Sequence, residues 1–279
     1  IVHCWHLANE GLLRKGRRAL LQNSDLEKLL SNTRKTHKKW LAEMLGNYDL
    51  KDLNAKVHLL KGDAGEKIPE LAEKKNVDLI IMGAHTRDED IGAARYRSVV
   101  GSTMQKVAKS ARCPVVIISR PCTTCWKLFS NIVVGTDFSK PATSSFLWAA
   151  RLAKEVNARL HIFHAVDIHA SEPGKVKGQA EIEAHIEAAR KKIDAKYLSQ
   201  LKGFDNYEIG IREGTPYVEI LKFAREKQAD LIVMAHHTRE IDPELALLGS
   251  TVEQVVLRSS CPVASVNHPD KAIVEKAKT

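Results

Sequence analysis

The chain carries one structural unit twice. A segment that begins Val-Asp-Leu-Ile-Ile-Met at Val77 returns 152 residues later, at Ala229, as Ala-Asp-Leu-Ile-Val-Met. Two shorter motifs, Gly-Ser-Thr at Gly101 and Cys-Pro-Val at Cys113, both return after 148 residues. Self-similarity at such a separation is typical of a duplicated domain, and it limits the fold to one that a single copy can adopt.

The duplication predicts a first domain at 1–120, a linker at 121–130 and a second domain at 131–279. Hydrophobic residues make up 44% of the chain and charged residues 28%, which is enough apolar material for two cores. Because Ile1 aligns with Ile162, the first copy begins at the second strand of the plan. We therefore expect its first strand and first helix to lie upstream of the sequence given.

The cysteine content and the lack of a long apolar run favour a cytoplasmic location. No apolar stretch approaches the roughly 18 residues that a membrane helix needs, and no signal-peptide pattern is present, so we expect no membrane partner. The five cysteines are an odd number in a long chain and do not form the framework of a secreted disulfide scaffold. A reducing compartment fits this usage best.

The second copy alternates strands with helices. Strands are predicted at 132–134, 160–166, 207–211, 230–234 and 262–266, and helices at 144–156, 181–201, 217–227 and 249–259. This alternation predicts an α/β fold in which each domain is a five-stranded parallel sheet with helices on both faces. We expect a pseudo-twofold relation between the copies, with the edges of their last strands, at 115–119 and 263–267, pairing within one chain.

Ligands of an open parallel sheet bind outside the carboxyl ends of its strands, where the strand order reverses. The second-copy residues expected there are Asp137, Val166, Ala235, Thr238, Gly249, Ser250 and Thr251. The Gly-Ser-Thr corner opens a helix, and free N–H groups at a helix N-terminus favour a phosphate guest. The same hydroxyls equally well cap their own helix, so the spacing leaves both interpretations open.

These residues resemble the universal stress protein family in its tandem form. The motifs that carry the resemblance are 133–139, 230–234, 249–251 and 260–263, and the match extends over essentially the whole chain. The resemblance implies two Rossmann-like, adenine-nucleotide-binding domains and a stress-related role in the cytoplasm. It also implies ATP, with Mg, as the cofactor for the members that bind nucleotide.

In ATP-binding members, the fourth strand leads into two glycines separated by two residues, and a Gly-Ser or Gly-Thr pair follows nine residues later. The second copy has Ala235 and Thr238 at the two glycines, with ten residues before its Gly-Ser pair. The corresponding first-copy residues are Gly83, Thr86, Gly101, Ser102 and Thr103. Because a β-branched Thr disfavours positive φ, we expect these loops to follow another path. The alternative function is a stress scaffold that binds protein partners and no nucleotide.

The linker contains a Cys-x-x-Cys pair, Cys122 and Cys125. One pair supplies half of a structural zinc site, and no second pair follows at a suitable spacing. A redox pair usually lies at a helix N-terminus, which this linker does not indicate. Coincidence, loose zinc binding and redox chemistry therefore all remain alternatives, whereas Cys113 and Cys261 are expected to be small buried residues.

Three histidines, His85, His236 and His237, follow the fourth strands. They are candidate phosphate donors or metal ligands, but we favour solvent-exposed loop residues. His3 and His164 end the second strands and are expected to be satisfied strand-end residues. No nucleophile–base–acid arrangement is present, so no catalytic residue is assigned and we do not expect an enzyme beyond weak ATP hydrolysis.

The chain has a net charge of +9, and its most basic stretch runs from Arg14 to Lys39 with nine basic residues. Leucines recur in this stretch at roughly helical intervals, which favours the solvated face of a helix over a nucleic-acid surface. Aromatic residues, the stacking platforms of single-strand binders, make up only 5% of the chain. Besides an adenine nucleotide, the expected partner is a second copy of the domain, within the chain or in a homodimer.

Overall fold

The computed structural model describes residues 2–5, 56–84, 102–119, 129–167, 178–236 and 250–266, with single helical positions between 32 and 46. The chain divides into two compact units, Ile1–Leu71 and Ala72–Thr279. Within these described residues, no helix combines the length and the apolar content that crossing a membrane requires.

The first unit contains a two-stranded parallel sheet. Strand β1 (Val2–Trp5) pairs with β2 (His58–Lys61), and helix α1 (Ala64–Lys74) begins shortly afterwards. Between 32 and 46 the described positions are helical and exposed, and Lys39 lies 3.7 Å from Glu43 one turn away. At these positions the basic stretch is helical and exposed. Most of the Arg14–Lys39 stretch lies outside the described residues, so the preference for a solvated helix face over a nucleic-acid surface stays a prediction.

The second unit is built on a seven-stranded sheet. Its strands are β3 (Ile80–Gly83), β4 (Val115–Ile118), β5 (Asn131–Gly135), β6 (Arg159–Val166), β7 (Tyr207–Glu213), β8 (Leu231–Ala235) and β9 (Val263–Val266). Its helices are α2 (Ser102–Ser110), α3 (Lys140–Val156), α4 (Gln179–Lys196), α5 (Pro216–Glu226) and α6 (Ser250–Arg258), with a short 3-10 helix at Leu198–Gln200. The strand order is β3-β4-β9-β8-β5-β6-β7.

Strands β5 to β9 confirm the doubly wound plan of the second copy. All five run parallel, and β5 lies between β6 and β8. Helices α3 and α4 cover one face, where Phe146 and Tyr197 join a buried cluster with Ile132 and Leu160. On the other face Phe223 of α5 stacks at 4.9 Å on Phe163, and α6 packs beside α5.

Two helix ends differ from the sequence prediction by more than two residues. Helix α3 begins at Lys140 rather than 144, because the Ser139 hydroxyl accepts a hydrogen bond from the Ala142 N–H (3.1 Å) and Pro141 favours the first turn. Helix α4 ends at Lys196 rather than 201. The chain continues there as the 3-10 helix, which keeps Tyr197 and Leu201 in the core.

The last strands of the two copies pair with each other, as the sequence predicts. Strands β4 and β9 are antiparallel, with the register Val115–Ser265, Val116–Ala264 and Ile117–Val263. Residues 148 apart are equivalent in the repeat, so the central pair, Val116 and Ala264, maps onto itself when the copies are exchanged. The two outer pairs map onto each other. This register is that of a pseudo-twofold axis through the central pair.

A side-chain contact next to this strand pair has the same symmetry. The Gln105 amide of α2 donates a hydrogen bond to Glu253 of α6 at 3.3 Å, and these two residues are also 148 apart. The Ser119 hydroxyl donates to the Val256 carbonyl at 2.5 Å. The equivalent helices and strands of the two copies therefore meet around one axis.

Strand β3 presents an apolar face that its counterpart in the second copy buries. Ile81 is 63% exposed, whereas Val233, its equivalent in β8, is fully buried. Leu79 and Ile118 are also exposed, and their equivalents are buried. In the second copy β5 pairs with β8 and α3 covers it. The described part of the first copy contains no counterpart of β5 or α3, which accounts for the difference.

This contrast predicts different stability effects for one substitution at equivalent positions. We expect Val233→Thr to lower the free energy of unfolding by about 1–3 kcal/mol, because it buries a hydroxyl group among apolar side chains. Ile81→Thr should change it by less than about 0.5 kcal/mol, because the side chain is largely in water. Urea unfolding of the full chain measures both. An equal loss in the two variants would show that the Ile81 face is covered in solution.

Candidate functional site

The strand register brings three carboxyl ends together at one edge of the sheet. Strand β5 pairs with β6 through Gly135–Phe163 and with β8 through Val134–Val233, so all three strands end at the same side. Strands β6 and β7, which follow β5 in the sequence, lie on one side of β5, whereas β8 and β9 lie on its other side. The strand order therefore reverses between β5 and β8, and this boundary is the switch point of the sheet. Helix α6 connects the parallel strands β8 and β9, so it begins at this carboxyl edge as well.

Residues 136–139, which follow β5, form a turn anchored by hydrogen bonds. Phe138 has a φ of +66°, an uncommon left-handed conformation for a bulky residue. Its N–H donates to the Thr136 hydroxyl oxygen at 3.0 Å, and its carbonyl accepts a hydrogen bond from the Lys196 ammonium. The centre of the Phe138 ring lies 4.5 Å from that of the His164 ring, with the two planes tilted by 44°. We call residues 136–139 the β5 turn.

Asp137 is exposed at the β5 turn, at the switch point of the sheet. Its Oδ1 accepts a hydrogen bond from the Ser139 N–H at 3.0 Å, which fixes the side-chain orientation. An exposed carboxylate held in this way is suited to accept hydrogen bonds from hydroxyl groups.

The other described candidates lie at the same edge of the second copy. Val166 ends β6, is nearly fully buried, and accepts a hydrogen bond from the Gly214 N–H through its carbonyl at 3.0 Å. Ala235 ends β8 and is also buried. Ser250 and Thr251 are the first two residues of α6. Thr238 and Gly249, which belong to the intervening loop, lie outside the described residues.

In the first copy the structure describes part of the equivalent set. Gly83 ends β3, and Ser102 and Thr103 open α2. Thr86 and Gly101 lie outside the described residues. The described residues of this copy therefore include the end of β3 and the start of α2.

The histidines divide into three cases. His164 is satisfied as expected: its Nδ1 lies 2.8 Å from the Thr136 carbonyl and must carry the proton, and burial lowers the pKa of its ring. The favoured exposed-loop interpretation is wrong for His236, which follows β8 and is buried. The reason is that β8 consists of five buried residues, and the buried stretch continues for one more residue, to His236. His85 and His237 lie outside the described residues.

His161, in the middle of β6, was not singled out by sequence reasoning. Its side chain is buried, with Nε2 3.2 Å from the Asn131 side-chain oxygen and Nδ1 3.4 Å from a Glu208 carboxylate oxygen. Burial lowers the pKa of His161 to about 4, although the neighbouring Glu208 opposes the shift. A hydrogen bond from Lys227 lowers the pKa of Glu208. His161 is therefore a neutral, structural histidine at pH 7.

Among the described residues, no group of three or more histidine, cysteine or acidic side chains has the arrangement of a metal site. Cys113 and Cys261 are buried, as expected, and burial raises the pKa of Cys261. Cys122 and Cys125 lie outside the described residues, so the zinc and redox alternatives of the linker stay untested.

The buried state of His161 predicts a component of acid sensitivity. An unfolded histidine binds a proton below pH 6.5, but folded His161 binds one only below about pH 4, so acid favours the unfolded state in this window. The shift corresponds to up to about 3 kcal/mol of unfolding free energy lost between pH 6.5 and 4. We expect His161→Gln to lose less stability over this range than the wild type, measured by urea unfolding at several pH values.

His185, an exposed histidine of α4, provides the matched control. His185→Gln should follow the wild-type pH dependence, because the substituted side chain lies on the exposed surface rather than in the core. Identical slopes for His161→Gln and the wild type would contradict the neutral buried state.

Comparisons with known proteins agree with the duplicated fold. The model of the Universal stress protein family matches residues 1–119 and again residues 128–267. A universal stress protein of Methanocaldococcus jannaschii is 33% identical over 150 residues, which cover 52% of this chain and 85% of the relative.

Two solved structures share the fold at low sequence identity. A universal stress protein of Archaeoglobus fulgidus has a TM-score of 0.59 at 23% identity, covering 91% of this chain and 82% of its own. A structure from Pseudomonas aeruginosa, described as a putative universal stress protein, has a TM-score of 0.56 at 20% identity, covering 85% and 80%.

Proposed function

Since the chain belongs to the universal stress protein family and carries its domain in tandem, we propose that the second copy binds an adenine nucleotide, ATP with Mg. The binding site is the carboxyl edge of β5 and β8. The observation that carries this proposal is the common position of the exposed Asp137 carboxylate and the start of α6 at the switch point of the sheet.

The two ends of this site suit the two ends of a nucleotide. The Asp137 carboxylate accepts hydrogen bonds from the ribose hydroxyls. The N-terminus of α6, at Ser250 and Thr251, offers backbone N–H groups and a partial positive charge to the phosphates. Mg²⁺ binds oxygen ligands, which the phosphates of the nucleotide themselves supply. The small side chain of Ala235 at the end of β8 replaces a family glycine with little added bulk.

The role that follows is a nucleotide-responsive stress module in the cytoplasm rather than a catalyst. We assign domain boundaries of 1–120 and 131–279, with the linker at 121–130. The β4–β9 pairing already occupies the last-strand edges within one chain, so a homodimer would form through another surface. The first copy is the second candidate site, through Gly83, Ser102 and Thr103.

We expect Asp137→Asn to weaken Mg-ATP binding by about tenfold or more. The amide oxygen of Asn still accepts the Ser139 N–H, so the turn is retained, but hydrogen bonds from the ribose to a charged acceptor are lost. Isothermal titration calorimetry of the full chain measures the affinity.

Asp205→Asn is the control, because Asp205 is an exposed acid that precedes β7 at the amino edge of the sheet. It should leave the affinity unchanged. Equal affinities for all three proteins would contradict the ribose contact. Absence of binding by the wild type would contradict the nucleotide proposal and favour the scaffold alternative.

A further inference from the structure

A tyrosine that follows helix α4, Tyr197, forms a hydrogen bond with the β5 turn. Tyr197, directly after α4, is fully buried, and its hydroxyl oxygen lies 2.6 Å from the Thr136 hydroxyl oxygen. Burial raises the pKa of Tyr197, so its hydroxyl keeps its proton at pH 7. This hydroxyl therefore joins the end of α4 to the first residue of the β5 turn.

The Thr136 hydroxyl connects Tyr197 to the backbone of the turn. Its oxygen accepts a hydrogen bond from the Phe138 N–H at 3.0 Å and lies 2.6 Å from the Tyr197 oxygen. Either hydroxyl can donate the bond between Tyr197 and Thr136, because each carries one proton. Separately, the Thr143 hydroxyl of α3 donates to the Ser139 carbonyl at 3.1 Å and holds the other end of the turn.

The hydroxyl groups of Tyr197 and Thr136 form a relay from the end of α4 to the Phe138 N–H of the β5 turn. Two further side chains hold the turn from the same side: His164 donates to the Thr136 carbonyl, and Lys196 to the Phe138 carbonyl. Asp137 is the exposed residue in the middle of this set, and its own Oδ1 closes the turn onto the Ser139 N–H.

We propose that Tyr197 is a positioning residue of the second-copy nucleotide site, acting through Thr136 on the β5 turn that carries Asp137. The inference rests on the proposed function for the identity of the ligand. Tyr197 contacts no ligand itself. Its hydroxyl fixes the backbone conformation of the turn, including the left-handed Phe138, and so presets the direction of the Asp137 carboxylate before the nucleotide binds.

The test substitutes hydroxyl groups of the relay in the full chain. Tyr197→Phe keeps the buried ring and removes the relay oxygen, and we expect it to weaken Mg-ATP binding by about three- to tenfold, the usual worth of one hydrogen bond. Thr136→Val should have a similar effect. Thr136→Ser keeps the hydroxyl and should bind Mg-ATP with an affinity close to that of the wild type. Tyr207→Phe is the matched control, because Tyr207 packs against the same core from β7 outside the relay.

A second measurement reports on the turn without any nucleotide. Hydrogen exchange followed by NMR should show the Phe138 and Ser139 amides of Tyr197→Phe exchanging about tenfold faster than in the wild type. In Tyr207→Phe these two amides should change only as much as the β5 strand amides, which report the overall stability. If Tyr197 only stabilised the fold as a whole, the amides of the turn and of the β5 strand would exchange faster by the same factor.

The outcomes separate the two proposals. Equal affinity and equal turn exchange in Tyr197→Phe and Tyr207→Phe overturn the positioning role. Absence of nucleotide binding by the wild type overturns the proposed function, and with it the ligand assigned here. Exchange that is faster only at the turn, together with weaker binding and rescue by Thr136→Ser, supports the inference.

Discussion

The position of β5 between β6 and β8 governs the second copy. Its hydrogen bonds to both neighbours complete the parallel sheet, and its reversal of strand order creates the crevice at the carboxyl edge. The residues that follow it form the β5 turn and the cap of α3. Where the described residues lack its counterpart, as beside β3, apolar residues such as Ile81 remain exposed. One strand therefore determines both the core and the candidate site.

The second organising contact is the antiparallel pairing of β4 with β9. It joins two parallel sheets into one and adds Val116 to the buried cluster of the second copy. Its register places the equivalent pair Val116 and Ala264 on a pseudo-twofold axis, so a symmetric contact between domains is built into one polypeptide. The strand edges that would otherwise be open to another chain are satisfied internally.

The sequence predicted the order of strands and helices in the second copy, because strand-like and helix-like hydrophobic runs alternate along it and several of them recur in the first copy. It also predicted the β4–β9 pairing. It missed Tyr197 and Lys196, since their contacts with the β5 turn join residues about 60 positions apart and leave no local pattern. His236 was wrongly favoured as exposed because polar residues after a strand usually are. The ligand roles of Asp137 and the α6 residues stay predictions.

The central claim is that this fold, despite its altered glycine positions, still holds an adenine nucleotide in the second copy. The most direct test is to release bound small molecules by heat from freshly purified full-length protein and to identify them by chromatography and mass. We expect the released material to contain ATP or ADP in near-stoichiometric amount. Protein that contains no nucleotide, and that also fails to take up added Mg-ATP, would contradict it.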